Sequence, residues 1–276
     1  MKAPPFEYLR PSSLADAIGQ LTALNGAGKA VQLLAGGQSM LAMMNLRLSS
    51  PDVVIDIAGL DALRDAEASD AGTRFGACVT HAAIEDGRIA DPSAGLMPRV
   101  AAAIAYRAVR NRGTIGGSLA LSDPAGDWVT VLPALDGQVR LVGPAGPRTV
   151  AAKDFTTGIY ETARGPDEIL ESIEVPRLTP SGRWGFSRFA RKAGDFAISI
   201  AAAVIDPERG YGRIVLGGLQ GPPAVLAQAS EVLKQRAKPD EIHAAAVADL
   251  AGFSLDRYQS GVHAAMIAQA VSQVLS

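Results

Sequence analysis

Leu14, Ala17, Ile18 and Leu21 recur three and four residues apart behind Ser12-Ser13, which predicts a capped amphipathic helix ending near Asn25-Gly26. The apolar run over 31–34 stops at Gly36-Gly37 and reads as a strand followed by a loop. A helix or helical turn is expected over 41–48, punctuated by Pro51, and Val53-Val54-Ile55-Asp56-Ile57 is a buried strand. This strand–loop–helix–strand unit puts the first Gly-Gly pair at a sheet edge suited to a ligand.

Farther on, the pattern predicts a strand over 73–79 and a helix opening at Thr80. The alanine-rich stretch 97–110 reads as one helix, C-capped by Asn111-Arg112-Gly113 with basic residues in its last turn. A second Gly-Gly turn, Thr114-Ile115-Gly116-Gly117-Ser118, follows at once, then a short helix over 128–135 and a strand over 139–142. Residues 168–175 alternate as a half-buried strand, and the Pro/Ser/Gly-rich 176–182 marks the best domain boundary. Beyond it come strands over 185–190, 197–205 and 212–217, then helices over 224–233, 240–250 and 255–275. The expected order is an α+β body followed by a sheet with a helical tail.

Composition narrows the class. With 276 residues, 48% of them hydrophobic and 20% charged, the chain suits one or two globular domains. A net charge of −2 argues against a nucleic-acid partner. One cysteine, Cys78, excludes an intrachain disulfide or a cysteine-held iron–sulfur or zinc cluster within this chain. No membrane-length apolar run is present, and the N-terminus has no secretory apolar core, so the expected location is cytoplasmic.

Glycine brings no Cβ, so a Gly-Gly turn lets backbone N–H groups approach a phosphate closely. One such turn is usually only a strand-to-helix connection, and Gly36-Gly37-Gln38-Ser39 has neither the Rossmann spacing nor the lysine of a Walker loop. Two, of similar chemistry, suggest a ligand with two phosphates. Arg107, Arg110 and Arg112 surround Asn111 before the second turn; a solvated helix end accounts for Arg107 and Arg110. Asp123 and Asp127 either cap the next helix or accept hydrogen bonds from a ribose or a flavin ring nitrogen. Arg191-Lys192-Ala193-Gly194-Asp195-Phe196 reads as a surface hairpin, or as a flavin edge with Phe196 stacked beside Lys192. His81, His243 and His263 lack ligand spacing and read as surface or packing residues, and Cys78 reads as buried and inert. No metal site and no acid, base or nucleophile set stands out.

Taken in order, these segments resemble the FAD-binding (medium) subunit of molybdenum hydroxylases, of the xanthine dehydrogenase and carbon monoxide dehydrogenase type. The resemblance is carried by Ala35-Gly36-Gly37-Gln38-Ser39, by Leu46-Arg47-Leu48 with Pro51, and by Val54-Ile55-Asp56-Ile57. It continues through Arg110-Asn111-Arg112-Gly113-Thr114-Ile115-Gly116-Gly117-Ser118-Leu119, Asp123-Pro124-Ala125 and Arg191 to Ile198, and spans nearly the whole chain. It implies an α+β fold: a two-part FAD-binding domain of the vanillyl-alcohol-oxidase-like (PCMH) type over 1–176, divided near 58, and a smaller sheet-plus-helix domain over 177–276 that closes over the flavin.

By the same resemblance, Leu34, Ala35, Gly36, Gly37, Gln38, Ser39 and Met40, with Thr114, Ile115, Gly116, Gly117 and Ser118, would hold the FAD pyrophosphate through amides and hydroxyls. Asp123 or Asp127 would touch the ribityl, ribose or adenine part, and Leu170, Lys192 and Phe196 would surround the isoalloxazine. Gln38 stands where covalent flavoproteins of this fold carry histidine, so noncovalent FAD is expected. Leu121-Ser122 precedes Asp123-Pro124 where relatives commonly have His-Ala, and Phe196 lacks the polar group of a relative's Tyr or Trp. The implied function is an electron-transfer subunit with no catalytic residue of its own. It would pass electrons from [2Fe–2S] clusters of a small partner to FAD and on to an external acceptor. A large partner would hold the molybdopterin, and a dimer of heterotrimers is the expected assembly. The alternatives are a stand-alone FAD oxidase or reductase, or a nucleotide-binding module without flavin.

Overall fold

The computed structural model describes residues 2–276. Its first helix, Leu14–Gly26, starts where Ser13 Oγ accepts the Asp16 amide at 3.1 Å, satisfying one of the N–H groups that a helix start leaves unpaired. The helix turns Ala17 and Leu21 onto a parallel three-stranded sheet, with strand order Glu7–Leu9, Val53–Asp56, Val31–Leu34. Val53, Val54 and Ile55 in the middle strand are all buried, the continuous apolar run expected of a covered parallel strand.

A second unit is an antiparallel sheet ordered Ala66–Ala68, Gly72–Gly76, Ile169–Pro176, Gln138–Gly143, Gly146–Ala151. Its middle strand arrives almost a hundred residues after its neighbour Gly72–Gly76, and the intervening chain supplies the helices Leu96–Ala103, Ile115–Leu121 and Asp127–Ala134. Trp128, Phe75, Phe155 and Met97 are the largest side chains sealed in this layer.

The third unit is an antiparallel sheet of Arg183–Phe189, Ser199–Asp206, Tyr211–Gly217 and the two-residue Ala224–Val225. Every residue of Ser199–Asp206 is buried. Its period of two sends Ile200, Ala202 and Val204 into the core shared with the second unit. Ala201, Ala203 and Ile205 face a separate core under the helices Ala227–Lys234, Pro239–Leu250 and Arg257–Leu275.

Four expectations need correction: the helix expected over 224–233 begins at Ala227, behind the short strand Ala224–Val225, and the other three lie in the second unit. The stretch 97–110 forms two helices, Leu96–Ala103 and Arg107–Arg110, because Ala105 takes a left-handed φ of 42° and turns the chain between them. The second Gly-Gly pair is no turn: it lies in the first turn of Ile115–Leu121, capped by Thr114. The strand expected over 73–79 ends at Gly76, beyond which the Ala77 and Cys78 amides bond Glu171 O and Leu63 O outside the regular ladder.

Candidate cofactor site

The loop after Val31–Leu34 runs into the short helix Met40–Asn45. Among the described residues, the amides of Gly36, Gly37, Gln38, Ser39 and Met40 have no hydrogen-bond partner in the protein. Five consecutive unpaired N–H groups at a helix start form an anion-accepting concavity. Two glycines make the shape possible. Gly37 has φ 72°, which an L side chain rarely adopts, and a Cβ on Gly36 would overlap the carbonyl oxygen of Arg112. The first loop is thereby pressed onto the chain just ahead of Thr114.

The opposite segment offers different chemistry. The amides of Ile115 and Gly116 donate to Val79 O (3.0 Å) and Ala77 O (2.9 Å), Gly117 N–H to Thr114 Oγ1 (3.1 Å), and Ser118 N–H to Thr114 O (3.0 Å). All four are spent on the fold, so this side presents hydroxyls rather than amides. Ser118 Oγ has no partner among the described residues, and Thr114 Oγ1 only accepts, which leaves its proton to donate.

Between the two segments lies a cleft of about 550 Å³ that reaches the third unit. Asp127 opens the helix Asp127–Ala134, and its Oδ1 meets Arg188 Nε at 3.0 Å; the strand Arg183–Phe189 carries Arg188. Burial pushes the Asp127 carboxyl up to about 6, with the Arg188 charge pulling the other way. Arg188 Nη2 also donates to Asp195 O at 2.9 Å and so anchors the loop that ends in Phe196. That loop is held from the other side by Tyr106, whose hydroxyl donates to Ala193 O at 3.1 Å. His81 is buried in the cleft wall; its Nδ1 lies 3.1 Å from Trp128 Nε1, and burial holds its pKa down to about 4, reinforced by Arg110.

Of the residues singled out from sequence, Ala35 to Ser39, Met40, Thr114, Gly116, Gly117, Ser118, Asp123, Asp127, Leu170 and Phe196 all line this one cleft. Leu34, Ile115 and Lys192 do not: Leu34 packs beside Gly37, Ile115 is wholly buried, and Lys192 is exposed on the outward half of its loop. Asp123 accepts from Ala125 N–H and from the Tyr160 hydroxyl (3.2 Å). Arg110 pairs with Glu85 at 2.8 Å and Arg107 with Glu85 and Asp86, so both are held as helix-end charges away from the cleft. Sequence reasoning missed Arg164 and Arg188 and gave Asp195, inside the quoted loop segment, no role of its own; His81, read as a surface or packing residue, packs on Trp128 and lines the cleft as well. Arg188 left a trace as a charge within the strand Arg183–Phe189. Cys78 is buried, with its thiol pushed up to about 12, and among the described residues no His, Cys, Asp and Glu cluster is set to hold a metal ion.

Fold and cleft together define a class, a protein of α+β lobes around a cleft suited to a phosphate-bearing ligand: unpaired amides on one side, hydroxyls on the other, apolar and ionic walls beyond. The family model described as the FAD binding domain in molybdopterin dehydrogenase matches residues 4–178. The chain is 36% identical over 267 residues to the nicotine 6-hydroxylase medium subunit of Paenarthrobacter nicotinovorans, covering 95% of this chain and 91% of that one. It is 35% identical to the carbon monoxide dehydrogenase medium chain of Hydrogenophaga pseudoflava, over 74% of this chain and 70% of that one. A solved carbon monoxide dehydrogenase from the same organism superposes with a TM-score of 0.92 at 30% identity, covering 99% and 98% of the two chains. The chain belongs to this family of FAD-binding domains of molybdopterin dehydrogenases. It is an FAD-binding medium subunit of the molybdenum hydroxylase type and hence an oxidoreductase component, with the two-part PCMH-type domain that the resemblance implies. The residues present fit that cofactor: the unpaired amides suit a pyrophosphate, and the cleft falls within the size range of cofactor sites.

Proposed function

We propose that this chain relays electrons from [2Fe–2S] clusters of a small partner subunit, through noncovalent FAD, to an external acceptor, while a large partner holds the molybdopterin at which substrate is hydroxylated. The observation that carries the reading is the run of unpaired amides from Gly36 to Met40, facing the Thr114 and Ser118 hydroxyls across one cleft. In this reading the amides of 36–40 and the two hydroxyls bind the pyrophosphate. Asp123 accepts from a sugar or ribityl hydroxyl, and Leu170 and Phe196 flank the isoalloxazine. Asp127, already committed to Arg188, fixes the wall rather than the ligand. FAD supplies the relay chemistry, taking electrons singly and releasing them in pairs. The protein excludes water from one side of the ring, orients it and sets the charge around it. Residues 1–176 serve as the FAD-binding domain and 177–276 as the domain that closes over it, within a cytoplasmic dimer of heterotrimers.

The test is purification of the native complex with a visible spectrum and gel filtration. A yellow chain eluting with a molybdenum subunit and an iron–sulfur subunit is expected. A colourless chain that takes up no added FAD, or a yellow chain that elutes alone and turns over an organic substrate, refutes the proposal.

A further inference from the structure

The His81 imidazole has one nitrogen accounted for and one left over. Tryptophan Nε1 only donates, so its 3.1 Å contact makes His81 Nδ1 an acceptor and puts the ring proton on Nε2. Among the described residues Nε2 has no hydrogen-bond partner, yet it is not one of the fully buried unsatisfied atoms. It therefore borders open space, and the space His81 lines is the cleft. Gly113 lies flat against this edge of the ring: a Cβ there would come 3.0 Å from Nε2 and 2.9 Å from Cδ2. Gly113 is also the residue on which Gly36 rests, and Gly113 O accepts the His81 amide at 2.9 Å. The free N–H thus sits at the seam between the amide-rich loop and the hydroxyl-bearing helix start. Its charged neighbour is Arg110, itself paired with Glu85.

We propose that His81 Nε2–H is a neutral donor to a phosphate oxygen of the dinucleotide in this cleft, with its tautomer fixed by Trp128. The inference rests on the reading that residues 36–40 hold the pyrophosphate. A donor that faces the cleft can pair with water there, and a phosphate oxygen at the seam takes that water's place with a fixed, charge-assisted acceptor. An uncharged donor also leaves the ligand's charge to the amides of 36–40, so no cation is needed at the seam.

The test uses deflavinated wild-type, His81→Gln and His81→Phe proteins titrated with FAD, ADP and riboflavin, the last carrying no phosphate. His81→Phe is expected to weaken FAD and ADP about tenfold and leave riboflavin within about twofold, with His81→Gln recovering most of the loss through its amide N–H. In ¹⁵N-histidine-labelled wild-type protein, the Nε2-bound proton of His81 is expected to shift on addition of ADP, a readout that holds even if a variant folds poorly. Unchanged ADP affinity in His81→Phe, equal weakening of FAD and riboflavin, or an unmoved Nε2 proton overturns the proposal. If the wild-type protein takes up no FAD, the cofactor reading fails and this inference falls with it. If the wild type binds FAD and only the His81 effects are missing, this inference fails alone.

Discussion

His81 ties local chemistry to stability. Its pKa is about 4 in the fold against an ordinary 6.5, so the folded state favours the neutral ring. That contribution is complete above pH 6.5 and is lost as pH falls from 6.5 to 4, at most about 3 kcal/mol. His81→Gln should therefore flatten the acid limb of a Tm-against-pH curve over this window. An equally steep limb would show that other groups drive the acid loss. At Gly37, the φ of 72° and the nearness of Leu34 leave no room for a branched side chain. Gly37→Val should purify without flavin while its far-ultraviolet circular dichroism stays near that of the parent; a full flavin complement would contradict the placement of the pyrophosphate. Cys78, with a thiol pushed up to about 12 and its Sγ facing Ile57 O, should resist iodoacetamide at pH 8 until the protein is unfolded.

Elements were legible in the sequence where their causes are local. The Ser13 cap, the apolar run before Gly36-Gly37 and the alternation within Ile169–Pro176 all act within a few residues, and each element forms where its pattern points. The gathering of most of the named site residues around one cleft was also readable, because the two glycine segments carry their chemistry in sequence. What the Ile115 and Gly116 amides bond to was not readable. Val79 and Ala77, which accept them, lie more than thirty residues away and are brought there by the tertiary fold, whereas the Gly117 and Ser118 amides stay with the local Thr114 cap. The strand Glu7–Leu9 exposes two of its three residues and owes its existence to pairing with Val53–Asp56, so it had no periodic signal. The break at Ala105 was hidden too, since alanine is the strongest helix former and nothing local signals its left-handed φ. That break places Tyr106 where it can hold the Ala193 carbonyl and hence the loop bearing Phe196. Phe196 is 63% exposed. Phe196→Ala should retain FAD but raise iodide quenching of its fluorescence; unchanged quenching would place the ring elsewhere.

At the scale of the whole molecule, the Asp127–Arg188 pair joins the second unit to the third within the cleft wall. Both partners are largely buried, so removing one leaves a desolvated charge, a loss of about 3 to 5 kcal/mol. Arg188→Met should lower Tm by several degrees and Asp127→Asn with Arg188→Met should recover much of it, because no unpaired charge remains; a double variant as unstable as Arg188→Met would argue that the arginine acts through packing alone. The strand Ser199–Asp206 carries a different consequence. Its two rows of side chains belong to different cores, one continuous with the flavin-side unit and one under the helical tail. Volume added to it is therefore addressed. A methyl or two at Ala202 presses toward the lobe that walls the cleft, whereas the same addition at Ala201, one residue away, presses only on the tail. Neighbouring alanines in one strand thus act as separate dials, one for the environment of the cofactor and one for the anchorage of the C-terminal helices.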